Sequence, residues 1–301
     1  MRVIFLGTSS AVPTKRRNVT SIAVSFNGEY ALLDIGEGTQ RQVMHAGLGF
    51  GRLRRIFITH LHGDHFFGLF PLLQTLSILR RTAPLEVYSP EGLSKILDAL
   101  SEFSHFRVTF PLRVVEFSGP SVFRFPRYTV EFFPVDHLDT PTFGVRIRER
   151  DKPGRLDVKK AEELGIPPSL RSLLKKGIPI KLPDGRTVQP GEVVGPPTPG
   201  KVLVYSSDTR PTAGVVEKAS GADLLIHDAT FRDDLAERAR ATGHSTVGEA
   251  CRVAIEAKVK MLALVHFSAR YRDEDLDEIE REARSIFPNA VVARDFLTID
   301  L

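Results

Sequence analysis

Apolar positions along this chain fall into short runs divided by polar and turn-forming stretches, and strand-like runs alternate with stretches of helical spacing. Arg2–Gly7, Ser21–Phe26 and Tyr30–Ile35 read as strands, the last two joined through Asn27-Gly28, a pair suited to a tight hairpin. The pattern then predicts a helix over Thr39–Ala46, a strand over Arg55–Thr59, a helix over Phe70–Arg80, a strand over Leu85–Tyr88 and a helix over Glu91–Phe103. Further strands are expected at Arg113–Phe117, Thr129–Val135 and Gly144–Arg148. Between Arg150 and Gly200 regularity breaks, with nine of the chain's twenty prolines and seven glycines around one helical candidate, Ser169–Lys176. A loop-rich insertion of this size in a compact domain is usually functional or disordered. Order returns with strands at Val202–Tyr205, Asp223–His227 and Met261–Val265 and helices at Ala213–Ala219, Asp233–Ala241, Thr246–Ala257 and Glu274–Ile286. Val291–Asp300 is expected to be mostly strand. Alternation of this kind predicts an α/β fold, and the lack of a fixed short repeat excludes a solenoid.

Chemistry enters where one of these strands ends. Arg55-Ile56-Phe57-Ile58 runs directly into Thr59-His60-Leu61-His62-Gly63-Asp64-His65, four metal-capable side chains within six residues. Side chains two apart on an extended segment share a side, so His60 and His62 can hold one ion. Where the chain turns toward the next helix, Asp64 and His65 can aim at a second. Neutral imidazoles and carboxylates suit zinc, whereas packing gains little from three imidazoles and a carboxylate in one turn. Three further apolar strands end in a ligand type: His137 after Phe132–Asp136, Asp208 after Val202–Ser207, and His266 after Leu262–Val265. Open sheets present reactive groups at such ends. Each of the three alone could be a loop-facing residue; their joint occurrence carries the argument.

Bulk properties narrow the setting. At 301 residues with 42% hydrophobic content, the chain can bury a sizeable core. No apolar run approaches the roughly 18 residues of a membrane span, and the N-terminus lacks an apolar core followed by a small-residue cleavage site. The single cysteine, Cys251, excludes an internal disulfide and a thiolate-rich metal site. These features predict a cytoplasmic protein with no membrane partner. The formal net charge of +4 is localised: Arg150–Gly200 holds ten Lys/Arg against six Asp/Glu, leaving 31 of each elsewhere. Charge alone leaves two readings open, a solvated basic loop and a surface for a polyanion.

The histidine cluster, with Gly7-Thr8-Ser9-Ser10-Ala11-Val12-Pro13, Asp34-Ile35-Gly36-Glu37-Gly38-Thr39, Ser207-Asp208-Thr209-Arg210 and His266-Phe267-Ser268-Ala269-Arg270-Tyr271, resembles the metallo-β-lactamase superfamily. Pro13-Thr14-Lys15-Arg16-Arg17-Asn18, the basic insertion, and His227-Asp228-Ala229-Thr230 with Gly243-His244-Ser245-Thr246 narrow the resemblance to the ribonuclease Z family of tRNA 3′-processing endonucleases. It spans essentially the whole chain and implies an αββα sandwich of two mixed β-sheets flanked by helices, a catalytic domain over residues 1–301. Within it, residues 150–200 would be a tRNA-gripping flexible arm. The Gly165-Ile166-Pro167-Pro168-Ser169 stretch lacks a Gly-Pro step common in such arms, and Asp228 stands where Glu is more usual.

The resemblance further implies two zinc ions per subunit, one on His60, His62, His137 and Asp208, the other on Asp64, His65, Asp208 and His266, with Asp208 shared. Asp64 would also orient the attacking water and take its proton, and His244, held by Asp228, would protonate the leaving oxygen. Lys15, Arg16, Arg17, Asn18 and Arg270, with Lys175 and Lys176 on the arm, would bind precursor tRNA. A homodimer is implied as well. The rival readings are a hydrolase of small phosphodiesters or thioesters and a non-catalytic RNA-binding or metal-storage protein that retains the fold.

Overall fold

The computed structural model describes residues 1–301 and contains two compact units, Met1–Ile147 with Val202–Leu301, and Arg148–Lys201. The first unit is built on two seven-stranded sheets. One sheet runs in the order Thr298–Asp300, Arg2–Gly7, Ser21–Phe26, Glu29–Leu33, Leu53–Phe57, Leu85–Pro90 and Leu112–Phe117. Its first three neighbouring pairs are antiparallel and its last three parallel. Phe26 pairs with Glu29 across Asn27 and Gly28, both at positive φ, the type I′ turn expected of this dipeptide.

The second sheet runs Ala290–Val292, Leu262–Val265, Leu224–Asp228, Val202–Tyr205, Phe143–Glu149, Tyr128–Pro134 and Ser121–Arg124. Its first four strands are parallel. The inner faces of both sheets share one core: Val3, Phe5, Ile22, Val24 and Phe57 pack with Phe132, Val145, Leu203, Ile226 and Val265. The outer face of the first sheet is covered by Thr39–His45, Leu69–Ile78 and Leu93–Phe103, through Val43, Leu72, Leu76 and Leu93. The outer face of the second is covered by Ala213–Ala219, Val247–Glu256 and Asp273–Ile286, through Val215, Cys251, Ala254, Leu276 and Ile279. The result is the αββα sandwich. Each fully buried Leu, Ile, Val or Phe contributes about 1.5–3 kcal/mol relative to exposure. A core this large offsets the cost of keeping several carboxylates out of water at its edge.

Two departures from the expected elements bear on function. Val291–Asp300 is not one strand: Ala290–Val292 joins the second sheet and Thr298–Asp300 the first. The crossing at 293–297 places Asp295 against the segment that opens the chain, where it accepts hydrogen bonds from Asn18 N and Thr8 Oγ1. The strand Ser121–Arg124, paired with Thr129–Phe132, was not anticipated because Phe125-Pro126-Arg127 between the two reads as a break rather than a hairpin.

The second unit is folded rather than loop-like. Helices Val158–Glu163, Pro168–Lys175 and Pro190–Val193 and the hairpin Ile180–Lys181/Thr187–Val188 enclose a small core of Ala161, Ile166, Leu174, Ile180, Leu182, Val188 and Val193. Asp157 caps the first helix by accepting from Lys160 N, and Pro168 opens the second. Its apolar residues are too widely spaced among prolines and glycines to show a period in any short window.

Candidate active site

The ligand-type residues come from strand ends of both sheets. His60 follows Leu53–Phe57 and Asp34 follows the neighbouring, parallel Glu29–Leu33. In the second sheet, the adjacent parallel strands Val202–Tyr205, Leu224–Asp228 and Leu262–Val265 bring Asp208, Asp228 and His266 side by side. His137 follows Tyr128–Pro134. Asp34, Ser207 and His266 all have positive φ, which turns the chain sharply off each strand. Left-handed backbone in non-glycine residues costs of order 1–3 kcal/mol and persists only where packing dictates it. Gly36 is required by close approach, since a Cβ there would lie 2.4 Å from the Asp64 carbonyl oxygen.

Three quartets of donor atoms result, the atoms of each lying within 4.8 Å of one another: Asp208/Asp228/His244/His266 and the two expected ligand sets, His60/His62/His137/Asp208 and Asp64/His65/Asp208/His266. Asp208 belongs to all three; its Oδ2 is 3.2 Å from His65 Nε2, 3.3 Å from His266 Nε2 and 3.8 Å from His60 Nε2. The second nitrogen of nearly every imidazole is held from behind. His65 Nδ1 is 2.8 Å from Asp34 Oδ2, His137 Nδ1 is 2.8 Å from Gly243 O, His266 Nδ1 is 2.9 Å from Thr230 Oγ1 and His60 Nδ1 is 3.0 Å from Thr59 Oγ1. His62 differs: its Nε2 meets Thr140 Oγ1 at 3.2 Å, leaving Nδ1 beside His137 Nε2. Such outer partners fix the ring orientation a metal ligand needs. Gly243, at φ 76°, is tied to this arrangement, because a Cβ would approach His137 Nδ1 to 2.9 Å.

His60 Nε2 and Asp208 Oδ1 are buried without a hydrogen-bond partner. Unpaired buried polar atoms are costly, and both residues belong to the His60/His62/His137/Asp208 quartet, so the residues fit metal ions. The electrostatics agree. Burial, reinforced by the His65 charge, holds His60 neutral. At His65 burial pulls the same way, but Asp208, Asp64 and Asp34 outweigh it and hold its pKa well above the usual value. Burial alone would raise Asp208 and Asp64; the imidazoles of His266 and His65 instead keep both well below the usual carboxylate range.

Beside the two expected ligand sets stands a dyad. His244 Nδ1 is 2.8 Å from Asp228 Oδ2, and Asp228 is itself anchored by Thr209 N and by Thr230 N and Oγ1. The His244 ring lies 4.9 Å from that of His137 and 5.2 Å from that of His266. Burial lowers its pKa, but the Asp228 carboxylate prevails and lifts it to about 9. The aspartate therefore reaches the histidine despite being one methylene shorter than glutamate. Asp64 Oδ2 accepts a hydrogen bond from Ala11 N at 2.8 Å.

The basic loop divides. Lys15 and Arg16 are exposed, Arg16 pairing loosely with Asp273 at 3.3 Å. Arg17 is not free to meet phosphates as expected: its side chain is 3% exposed, with Nη2 donating to Tyr271 O at 2.5 Å. Asn18 likewise turns inward, donating from Nδ2 to Glu37 O at 2.8 Å. These two brace the loop that carries the other two. Arg270 is exposed, its guanidinium 5.2 Å from the Phe231 ring, and Lys175 and Lys176 lie exposed at the end of Pro168–Lys175.

Sequence reasoning missed Asp34 as a working residue. It is fully buried, and its carboxylate takes Thr59 N, Thr59 Oγ1 and Tyr205 OH besides His65. A strand read as Tyr30–Ile35 takes Asp34 into its interior, whereas the structure ends the strand at Leu33 and leaves Asp34 at its end, as with His137, Asp208 and His266.

Known proteins resemble this chain in sequence and in fold. A family model described as a Beta-lactamase superfamily domain matches residues 175–267, and one described as Anti-Pycsar protein Apyc1 matches residues 1–150. A ribonuclease Z of Salinibacter ruber is 45% identical over 99% of this chain and 94% of its own length. That of Halobacterium salinarum is 46% identical over 100% and 97%. The chain belongs to the ribonuclease Z family. Among solved structures, the short form of human tRNase Z is 28% identical and superposes with a TM-score of 0.72, covering 100% of this chain and 99% of that one. The metallo-β-lactamase fold protein YhfI of Bacillus subtilis, 18% identical at a TM-score of 0.70 over 99% of each chain, shares the fold. No helix is long and apolar enough to cross a membrane.

Proposed function

We propose that this chain is a zinc-dependent, cytoplasmic endoribonuclease that removes the 3′ trailer of precursor tRNA by hydrolysing the phosphodiester after the discriminator nucleotide, and that it works as a homodimer. Family membership supports the substrate class. The observation that carries the chemistry is the His244–Asp228 dyad set against the rings of both expected ligand sets. His60, His62, His137 and Asp208 would hold one zinc, and Asp64, His65, Asp208 and His266 the other. Bound there, the ions would lower the pKa of a water and counter charge on the phosphate oxygens.

The remaining steps belong to the chain itself. Asp64, kept ionised by His65 and His266 and fixed by Ala11 N, orients the attacking water and is the acceptor for its proton. Asp228 occupies Nδ1 of His244 and favours its protonated ring, so Nε2 can donate to the leaving 3′ oxygen. The products are tRNA with a free 3′-hydroxyl and a trailer with a 5′-phosphate. Lys15, Arg16 and Arg270 near the site, and Lys175 and Lys176 on the arm, supply phosphate contacts.

Incubating the zinc-loaded chain with a 3′-extended precursor transcript tests this reading. A single cut after the discriminator, lost on chelation and restored by zinc, is expected. An uncut precursor, with turnover of small phosphodiesters intact, would instead favour the small-substrate hydrolase.

A further inference from the structure

A cavity of about 410 Å³ opens beside His244, lined by Asp136, Arg210, Pro211, Arg240, His244 and Glu249. Its volume is within the roughly 300–1,000 Å³ typical of ligand sites. Its walls adjoin the catalytic machinery in sequence as well as in space: Asp136 precedes His137, Arg210 follows Asp208 by two residues, and Arg240 lies one helical turn before His244. The walls are also fixed. Arg210 Nη2 donates to Asp136 Oδ1 at 2.7 Å, and the two residues are joined again by Arg210 N to Asp136 O at 2.9 Å. Glu249 Oε2 is occupied by Thr246 N at 2.9 Å, closing the capping box of Val247–Glu256. Both acids of the lining are therefore committed. Arg240 is exposed and has no acidic partner, so it is the uncommitted charge of the cavity.

The direction of cleavage says what such a cation would meet. The oxygen that receives the His244 proton belongs to the nucleotide upstream of the scissile phosphate, so the sugar of that nucleotide lies on the His244 side. We propose that this cavity is the subsite for the unpaired nucleotide on the 5′ side of the cut, with Arg240 bound to that nucleotide's own 5′-phosphate. The inference rests on the cleavage reading above and extends it to residues outside the metal site. Proteins read single-stranded RNA through splayed nucleotides seated among arginine and polar side chains, which is the chemistry of this lining.

Arg240→Ala and a precursor carrying a neutral methylphosphonate at the phosphate immediately upstream of the discriminator form a double-mutant cycle. Each change alone is expected to lower kcat/KM about ten- to hundredfold, the loss of one charge-assisted contact. Combined, they should cost no more than either alone, and Arg240→Lys should keep part of the wild-type rate on the unmodified precursor. Multiplying losses would overturn the subsite while leaving the cleavage reading in place. Coupling to a methylphosphonate at the first linkage inside the trailer would also overturn it, by assigning the cavity to the downstream strand. If the wild-type chain leaves the unmodified precursor uncut, both readings fall together.

Discussion

At the strand ends, Asp34, Asp208, Asp228, His60 and His65 are all buried, and most of their polar atoms meet a named partner. In the Arg148–Lys201 unit, Lys159, Lys160, Lys175, Lys176 and Lys181 are exposed and have no acidic partner, and the pairs that do form, such as Arg186–Asp184, lie at the surface. The physical consequences diverge. Removing one partner of a buried charged pair costs about 3–5 kcal/mol, because the other charge is left uncompensated out of water. An exposed pair contributes about 0–1 kcal/mol and is screened by salt. Charge in the site is structural and orienting; charge in the second unit is available to a partner. Substitutions should therefore separate chemistry from substrate binding along this division.

The largest separation is expected from Asp64→Ala. Precursor cleavage should fall on the order of a thousandfold, the contribution of a positioned acid or base, with tRNA binding retained in a gel-shift assay; unchanged cleavage would remove Asp64 from the mechanism. Excising Asp151–Pro199 should act the other way. Loss of a second binding module costs about 10²–10⁴ in avidity, so precursor kcat/KM should drop by that order while turnover of bis(p-nitrophenyl) phosphate persists. Equal loss on both substrates would erase the distinction between the two regions.

A smaller effect probes support of the site from behind. Asp34→Asn keeps the shape but weakens the hold on His65 Nδ1, and zinc affinity measured by chelator competition should fall about 10- to 100-fold. An unchanged affinity would show that Tyr205 and Thr59, the other partners of Asp34, leave His65 adequately oriented. The smallest effect concerns Asp295, whose carboxyl burial pushes up to about 6 against the hydrogen bonds from Asn18 and Thr8. A raised carboxyl pKa means the folded chain holds the proton more tightly than the unfolded one. Its contribution to stability is thus present at low pH and lost as pH rises from the ordinary value near 3.8 through about 6. Urea midpoints across that window should decline less steeply in Asp295→Asn than in the wild-type chain.

Much of this was legible in the chain. Strand ends carrying His137, Asp208 and His266 could be read because an apolar run closed by a polar ligand type is a local pattern. Strand Ser121–Arg124 and the small core of the second unit were not, since short elements broken by proline leave no period to detect. Arg17 illustrates a different failure: its position in a basic loop suggested a phosphate contact, but its exposure depends on Tyr271 and Asp273, more than 250 residues away.

The sequence by itself determined which atoms could bind metal, that they would gather at strand ends, and that excess positive charge would sit between residues 150 and 200, because residue chemistry and periodicity are written locally. The tertiary structure decided that Asp34, Thr59, Thr230 and the Gly243 carbonyl hold those ligands from behind, and that Asp228 reaches His244. It also decided that Asp295 and Arg17 turn inward while Arg240 faces an open cavity. Those outcomes depend on two sheets meeting at one edge through sharp left-handed turns, a juxtaposition of distant segments that only packing can impose.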